Sequence, residues 1–332
     1  YQLNLEGKLV STELEEILTE EFGYTVDYAQ LGQEDYPEEI RSLFIPGEKS
    51  LLIAGNVSET QRVFILAKEL GYAHMKIEQR PLTFTWIKFE SFEDVLNNFR
   101  ASYFAGALIL PETRLVKDMK AFFGRKKWNS KAFLDIMVGY TDSAETFIQR
   151  LTNLLPSHFG LNQLFFLRFE YAEAPNKINL AKELHLSRSH RPQAFRNHEH
   201  YCRRWLSTDI LLNNKQYHES NNIRVGAQHS IYHDSEDEYL VMAASNADPF
   251  NENSMRSVCI GIELNNNQRE VIAFMEDPDL TSQKVGVTCE RCAIIDCAER
   301  AQPASILEQQ QKDEEIEKRV YSLINRNSEK KE

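Results

Sequence analysis

Three of the chain's five cysteines, Cys289, Cys292 and Cys297, fall within nine residues of the stretch GVTCERCAIIDCAERAQP, Gly286 to Pro303. Their spacing is C-x2-C-x4-C. Thiolates bind soft and borderline metals, and two cysteines separated by two residues chelate one centre without strain. Three thiols are one ligand short of a closed four-thiolate site. The fourth position falls to Cys202, Cys259 or a histidine, or it stays open. Iron–sulfur clusters also use compact cysteine runs, so spacing leaves zinc and a cluster equally open. The blander reading is three unconnected thiols in a loop. The odd total and this spacing are unlike a disulfide framework, so a reduced, cytoplasmic setting is expected.

A second stretch, LSRSHRPQAFRNHEHYCRRW from Leu186 to Trp205, mixes arginines with aromatic residues. Arg188, Arg191, Arg196, Arg203 and Arg204 stand among Phe195, Tyr201 and Trp205, while Arg168 and Arg224 lie on strand-like runs. Guanidinium groups suit phosphates and aromatic rings suit a planar base. The same mixture also serves a nucleic-acid surface or a solvated face. His185, His190, His198 and His200 match no metal-binding spacing and read as surface histidines.

The third stretch is FILAKELGYAHM, Phe64 to Met75. It has the layout of a zinc-peptidase helix, in which His-Glu-x-x-His puts two imidazoles one turn apart with Glu as general base. The ligand positions here hold Lys68 and Tyr72, and only Glu69 remains. A protonated amine has no lone pair for a metal, and a lone phenol is a poor replacement for imidazole. Zinc is not expected to bind. An ordinary amphipathic helix that happens to contain Glu-Leu-Gly is the alternative.

The elements that must position these residues follow from periodicity. STELEEILTEEF reads as a helix over 11–22, with Thr12 as cap, Leu14, Ile17, Leu18 and Phe22 as its apolar stripe, and Gly23 as its end. Strands are expected at 24–29 and 50–55, with IRSLFI (40–45) between them and PGEKS as a turn. Ser58 caps a helix whose face carries Val63, Ala67, Leu70 and His74, and another helix covers 92–110 and stops at Pro111. FFGRKKWNSK reads as a basic surface stretch, followed by a helix at 143–155 and an apolar strand at 163–172. After Pro175 the chain turns polar. IRVGAQHSIYH, EYLVMAAS, RSVCIGIEL and EVIAFM read as an antiparallel series with helices on one face. From Ala304 the chain reads as a solvated helix that frays at its end.

The fold class is therefore α+β. A small unit spans 1–125, an antiparallel-sheet ligand-binding domain 126–280, a Cys-rich segment 281–304 and a polar tail 305–332. The composition, 42% hydrophobic and 27% charged, is globular. A formal net charge of −12 repels phosphate backbones, so these residues are not expected to touch nucleic acid themselves. No apolar run reaches the roughly 20 residues of a membrane helix. The first residues lack a signal-peptide layout, and the absence of an initiator Met points to a fragment with something missing upstream.

The first unit, from its first helix through NFRASYFAGALILP (Asn98 to Pro111), resembles the minimal zinc-metallopeptidase domain of the ImmA/IrrE type. The resemblance puts the third ligand position on Asn98, so all three positions have changed and the scaffold is expected to be catalytically dead. FRASYFAGALILP, HYCRRW (His200 to Trp205) and the cysteine segment with its Arg300–Pro303 ending occur in this order. That combination resembles the short-chain fatty acyl transcriptional regulators, the group that includes the actinobacterial regulators of propionate and glyoxylate metabolism.

The resemblance covers nearly the whole chain and implies four things. A helix-turn-helix DNA-binding domain lies upstream, outside this chain. The middle region binds short-chain acyl-CoA as effector, with Arg188, Arg191, Arg196, Tyr201, Arg203, Arg204 and Arg224 as the contact candidates. Cys289, Cys292 and Cys297 hold a [4Fe–4S] cluster, zinc being the alternative. The output is control of genes for short-chain fatty acid use. The chain is expected to be no enzyme, to touch no membrane, and to form a homodimer as DNA-binding regulators usually do. An interaction module with structural zinc, its C-terminal helix pairing subunits, is the other reading, and a metallopeptidase the last.

Overall fold

The computed structural model describes residues 7–29, 31, 40–83, 87–172, 177–186, 199–213, 217–220, 222–235, 237–248 and 251–329. It divides into two compact units, Tyr1–Phe122 with Lys131–Leu154, and Phe123–Ser130 with Leu155–Glu332.

In the first unit α1 (Ser11–Phe22) leads to strands β1 (Thr25–Asp27), β2 (Ser42–Ile45) and β3 (Ser50–Ile53). They form a sheet of order β1-β3-β2, with β1 parallel and β2 antiparallel to β3. The central strand SLLI is buried along its whole length, as an apolar run covered on both faces should be. Helix α2 (Glu59–His74) starts with a full capping box between Ser58 and Gln61. Thr12 does not cap α1. That helix begins at Ser11, and the carboxylate of Glu59 accepts from the Ser11 amide at 2.7 Å and from its hydroxyl at 2.9 Å. A charged acceptor from a neighbouring helix displaces the local hydroxyl.

A short hairpin, β4 (Leu82–Thr83) with β5 (Ile87–Lys88), precedes α3 (Phe92–Ile109). Pro111 ends α3 as expected, but two helices then follow where none was predicted: α4 (Glu112–Phe123) and α5 (Ser130–Val138). Helix α6 (Ala144–Phe159) comes next.

The second unit is a sheet of order β12-β9-β10-β11-β6-β7, with β8 beside β9. Its strands are β6 (Leu164–Ala172), β7 (Lys177–His185), β8 (His218–Ser220), β9 (Ile223–Tyr232), β10 (Glu238–Asp248), β11 (Asn251–Glu263) and β12 (Ser282–Val285). All pairings are antiparallel except β12 with β9. Helix α7 (Leu206–Leu212) packs on β9, β10 and β11. EVIAFM is not a strand: it closes α8 (Asn266–Val271) and runs into the 3-10 turn Ala273–Glu276. Its apolar residues Ile272 and Phe274 are wholly buried, so burial rather than strand pairing explains the run. Gly261 lies opposite Phe165, and a Cβ there would come within 2.1 Å of the ring, so only glycine lets this aromatic lie across the strand. The last helix, α9 (Ser305–Glu329), is exposed from Glu308 through Ile324. Among the described residues no helix is long and apolar enough to cross a membrane.

Candidate functional site

On α2, one helical turn separates Lys68 from Tyr72, and α3 brings Asn98 alongside. The Lys68 ammonium donates to the Asn98 side-chain oxygen at 2.7 Å and lies 5.8 Å from the centre of the Tyr72 ring. Burial lowers its pKa to about 8. Glu69 is buried and pairs with Arg80, and it also accepts from the Tyr24 hydroxyl at 3.1 Å. Burial outweighs that pairing and raises the Glu69 pKa. Arg80 lies 3.8 Å over the Phe44 ring and 4.7 Å over Tyr72. The three positions that would ligate zinc thus carry an amine, a phenol and an amide joined to one another. The carboxylate that would serve as base is engaged by a guanidinium.

The cysteine segment is held in the second unit by EHYCRRW, Glu199 to Trp205. The Cys202 amide donates to Val287 at 3.0 Å and the Cys289 amide to His200 at 2.9 Å, around an antiparallel bridge of Tyr201 with Thr288. Side chains reinforce this short ladder. The Glu199 side chain, fully buried, accepts from Nε and Nη2 of Arg291, each at 2.9 Å, and from the Thr288 hydroxyl at 2.8 Å. Glu290 accepts from the His200 amide at 3.0 Å and lies 2.7 Å from its imidazole. Arg300 clamps the loop from the other side, donating to the carbonyls of Cys289, Cys292 and Ile294 at 2.7, 3.0 and 2.6 Å.

The result brings a fourth thiol into place. Cys202, Cys289, Cys292 and Cys297 all line one hollow, with Arg203, Arg204 and Arg300 at its edge. Gly286 sits against it so closely that a Cβ would fall 2.7 Å from the Cys292 sulfur. Backbone amides face the sulfurs: Ala301 N lies 3.3 Å from that of Cys289, and Gly286 and Arg204 bond to Cys202. Burial still pushes the Cys202 thiol up to about 12 and raises Cys292. Among the described residues no group of three or more His, Cys, Asp or Glu is gathered on a single point able to hold one metal ion. Cys259 is elsewhere, buried in β11.

Of the arginine candidates, Arg188, Arg191 and Arg196 lie outside the described residues, as do Phe195, His190 and His198. Arg203 and Arg204 border the thiol hollow, and Arg204 stands 3.9 Å from Glu299. Arg224 is paired with Glu219 at 2.7 Å. Tyr201 packs into an aromatic cluster, 5.1 Å from Phe169 and 5.6 Å from Trp205. His185 bonds to Glu183.

A second, small hollow lies between the sheet and α7, lined by Phe165, Leu167, Trp205, Tyr232, Val241 and Cys259 among others. The indole nitrogen of Trp205 is buried without a hydrogen-bond partner among the described residues. One short turn joins the two hollows. Trp205 N donates to Cys202 O at 3.2 Å, and the Thr208 hydroxyl shares its one proton between the carbonyls of Cys202 at 2.7 Å and Trp205 at 2.9 Å. Sequence reasoning missed Glu199, Glu290, Arg291 and Thr288.

Comparison with known proteins agrees with the motifs. Residues 19–152 match the family model of the IrrE N-terminal-like domain. Residues 167–321 match that of the short-chain fatty acyl coenzyme A regulator, C-terminal. No curated protein matches significantly. Among solved structures, a Mycobacterium tuberculosis transcriptional regulator is similar with a TM-score of 0.58 and 19% identity, over 88% of this chain and 82% of that one. At that identity the likeness is one of fold. Two successive parts of the chain thus match family models, an IrrE N-terminal-like domain followed by the C-terminal region of the short-chain fatty acyl coenzyme A regulator type.

Proposed function

We propose that this chain is the sensing part of a cytoplasmic transcription regulator, which binds a short-chain acyl-CoA and holds an iron–sulfur cluster on Cys202, Cys289, Cys292 and Cys297. The observation that carries the reading is the arrival of Cys202 beside the three clustered cysteines around one hollow. Four thiols around one hollow are a donor set that suits a thiolate-held metal centre, and the resemblance implies the [4Fe–4S] type. Such a cluster supplies a redox- and iron-sensitive charge. The chain's own part is to fix the loop through Arg300, and to aim the amides of Gly286, Arg204 and Ala301 at sulfurs that would carry negative charge.

For the acyl-CoA, the small apolar hollow under α7 takes the acyl end, with the Trp205 indole N–H donating to the thioester carbonyl. Arg203 and Arg204 serve the phosphates, with Arg188, Arg191 and Arg196 in the same role. Arg224 joins only by releasing Glu219, and Tyr201 supports Trp205 through ring packing. A ligand that shifts Trp205 pulls on Cys202 through the turn they share, which makes the two sites one two-state element. The first unit is a scaffold without peptidase activity, since Arg80 engages Glu69 and Lys68 engages Asn98. DNA contact belongs to a separate domain, as the acidic charge of −12 suits.

The test is a thermal-shift and calorimetric titration with propionyl-CoA, beside Val241→Trp, which fills the apolar hollow. Stabilisation of the native chain and its loss in the variant support the reading. No response to any acyl-CoA overturns the acyl-CoA half of it.

A further inference from the structure

Helix α9 carries more than a solvated tail needs. Its amides at Ile306 and Leu307 donate to the Glu290 carbonyl at 3.0 and 3.1 Å, so the helix starts bonded to the cysteine segment. Beyond that start it stands exposed. Glu308 with Lys312, Glu314 with Lys318 and Glu315 with Arg319 are spaced i,i+4 with the acid first, the order that supports an isolated helix. These pairs account for a polar helix in water. They do not account for Ile316, Val320 and Leu323, which are 59%, 47% and 58% exposed and spaced four and three residues apart on one face.

We infer that this face is a seam on which α9 pairs in parallel with α9 of a second copy of the chain. The spacing sets Ile316 and Leu323 at the d positions and Val320 at a heptad a position. Val320 at a with Leu323 at d is the pairing that favours two parallel strands, while Ile316 at d adds apolar area without that preference. In the same register Lys312 falls at g and Glu317 at the following e. A parallel pair sets Lys312 of each copy against Glu317 of the other, the charge complementarity that flanks such a seam. An antiparallel pair instead sets g against g, and both Lys312 and Arg319 are cations at g, so like charges face each other. Asp313 falls on the a position one turn before Ile316, where two copies repel. The seam is therefore short and the pairing modest. Because α9 begins on the Glu290 carbonyl, pairing ties the cysteine segments of two copies into one assembly. The inference does not depend on what those cysteines hold.

Sedimentation equilibrium of the whole chain across the micromolar range tests it. The chain associates to a dimer, Val320→Asp is a monomer with unchanged circular dichroism, and Asp313→Leu tightens association. Lys312→Glu and Glu317→Lys each weaken the dimer by about tenfold, and the double variant restores it. A monomer at every concentration overturns the inference, as does a dimer indifferent to Val320→Asp. A dimer that Val320→Asp breaks, but whose charge swap fails to restore, overturns the parallel arrangement.

Discussion

The backbone amide of Cys289 donates to the carbonyl of His200 at 2.9 Å. That bond lies in the short ladder that makes HYCRRW one wall of the cysteine hollow and puts Cys202 in it. The expected consequence separates the five cysteines. Cys202→Ser loses bound iron as fully as Cys289→Ser does. Cys259→Ser, in the sheet, keeps it. Iron analysis of the three variants checks this.

Gly286 makes a second test without touching a thiol. A methyl group there meets the Cys292 sulfur at 2.7 Å, so Gly286→Ala must push the loop aside. Its iron content falls while its overall helix and strand content does not. Gly261→Ala acts differently: its Cβ meets the Phe165 ring at 2.1 Å, and the chain loses about 2 kcal/mol in urea unfolding through overpacking.

In the first unit, the Arg80–Glu69 pair is buried, with side chains 14% and 8% exposed. Arg80→Met strands a carboxylate in the interior and costs about 3–5 kcal/mol. Adding Glu69→Gln removes the stranded charge and recovers most of that loss. Denaturant unfolding of the single and double variants reads it.

Lys68 gives a pH prediction with a definite sign. Its pKa is about 8 in the folded chain against 10.5 when unfolded. Below about pH 8 both states carry the proton, and the cost of burying the ammonium is constant. Between about 8 and 10.5 the unfolded state binds more protons, so this group makes stability rise with pH. Lys68→Met is therefore more stable than the native chain at pH 7, by about 2 kcal/mol after allowing for the water that still reaches the amine, and the gap narrows toward pH 10. Asn98→Asp supplies a counter-charge and moves the Lys68 titration upward, which NMR of the lysine side chain reads directly.

How much of this was legible depends on range along the chain. Local signals held at the Ser58 cap and the stop at Pro111, and failed at Thr12, which does not cap α1 because Glu59 reaches that helix start from α2. Cys202 was one of several candidates, because only tertiary pairing chooses among distant thiols. Glu199 and Arg291 were missed because nothing local says that a carboxylate will be fully buried against a guanidinium. Helix α4 was overlooked although Leu115, Val116, Met119, Phe122 and Phe123 repeat at helical spacing and are all buried. Strand β7 was hidden for a physical reason: as an edge strand it alternates between exposed and half-buried residues, so it needs no apolar run.

The most direct test is iron, zinc and acid-labile sulfide per chain, on protein purified without oxygen, for the native sequence, Cys289→Ser and Cys202→Ser. Iron and sulfide in nearly equal amounts in the native chain, lost in both variants, is the expected result. Zinc without sulfide, or iron that survives Cys202→Ser, would contradict a four-cysteine cluster.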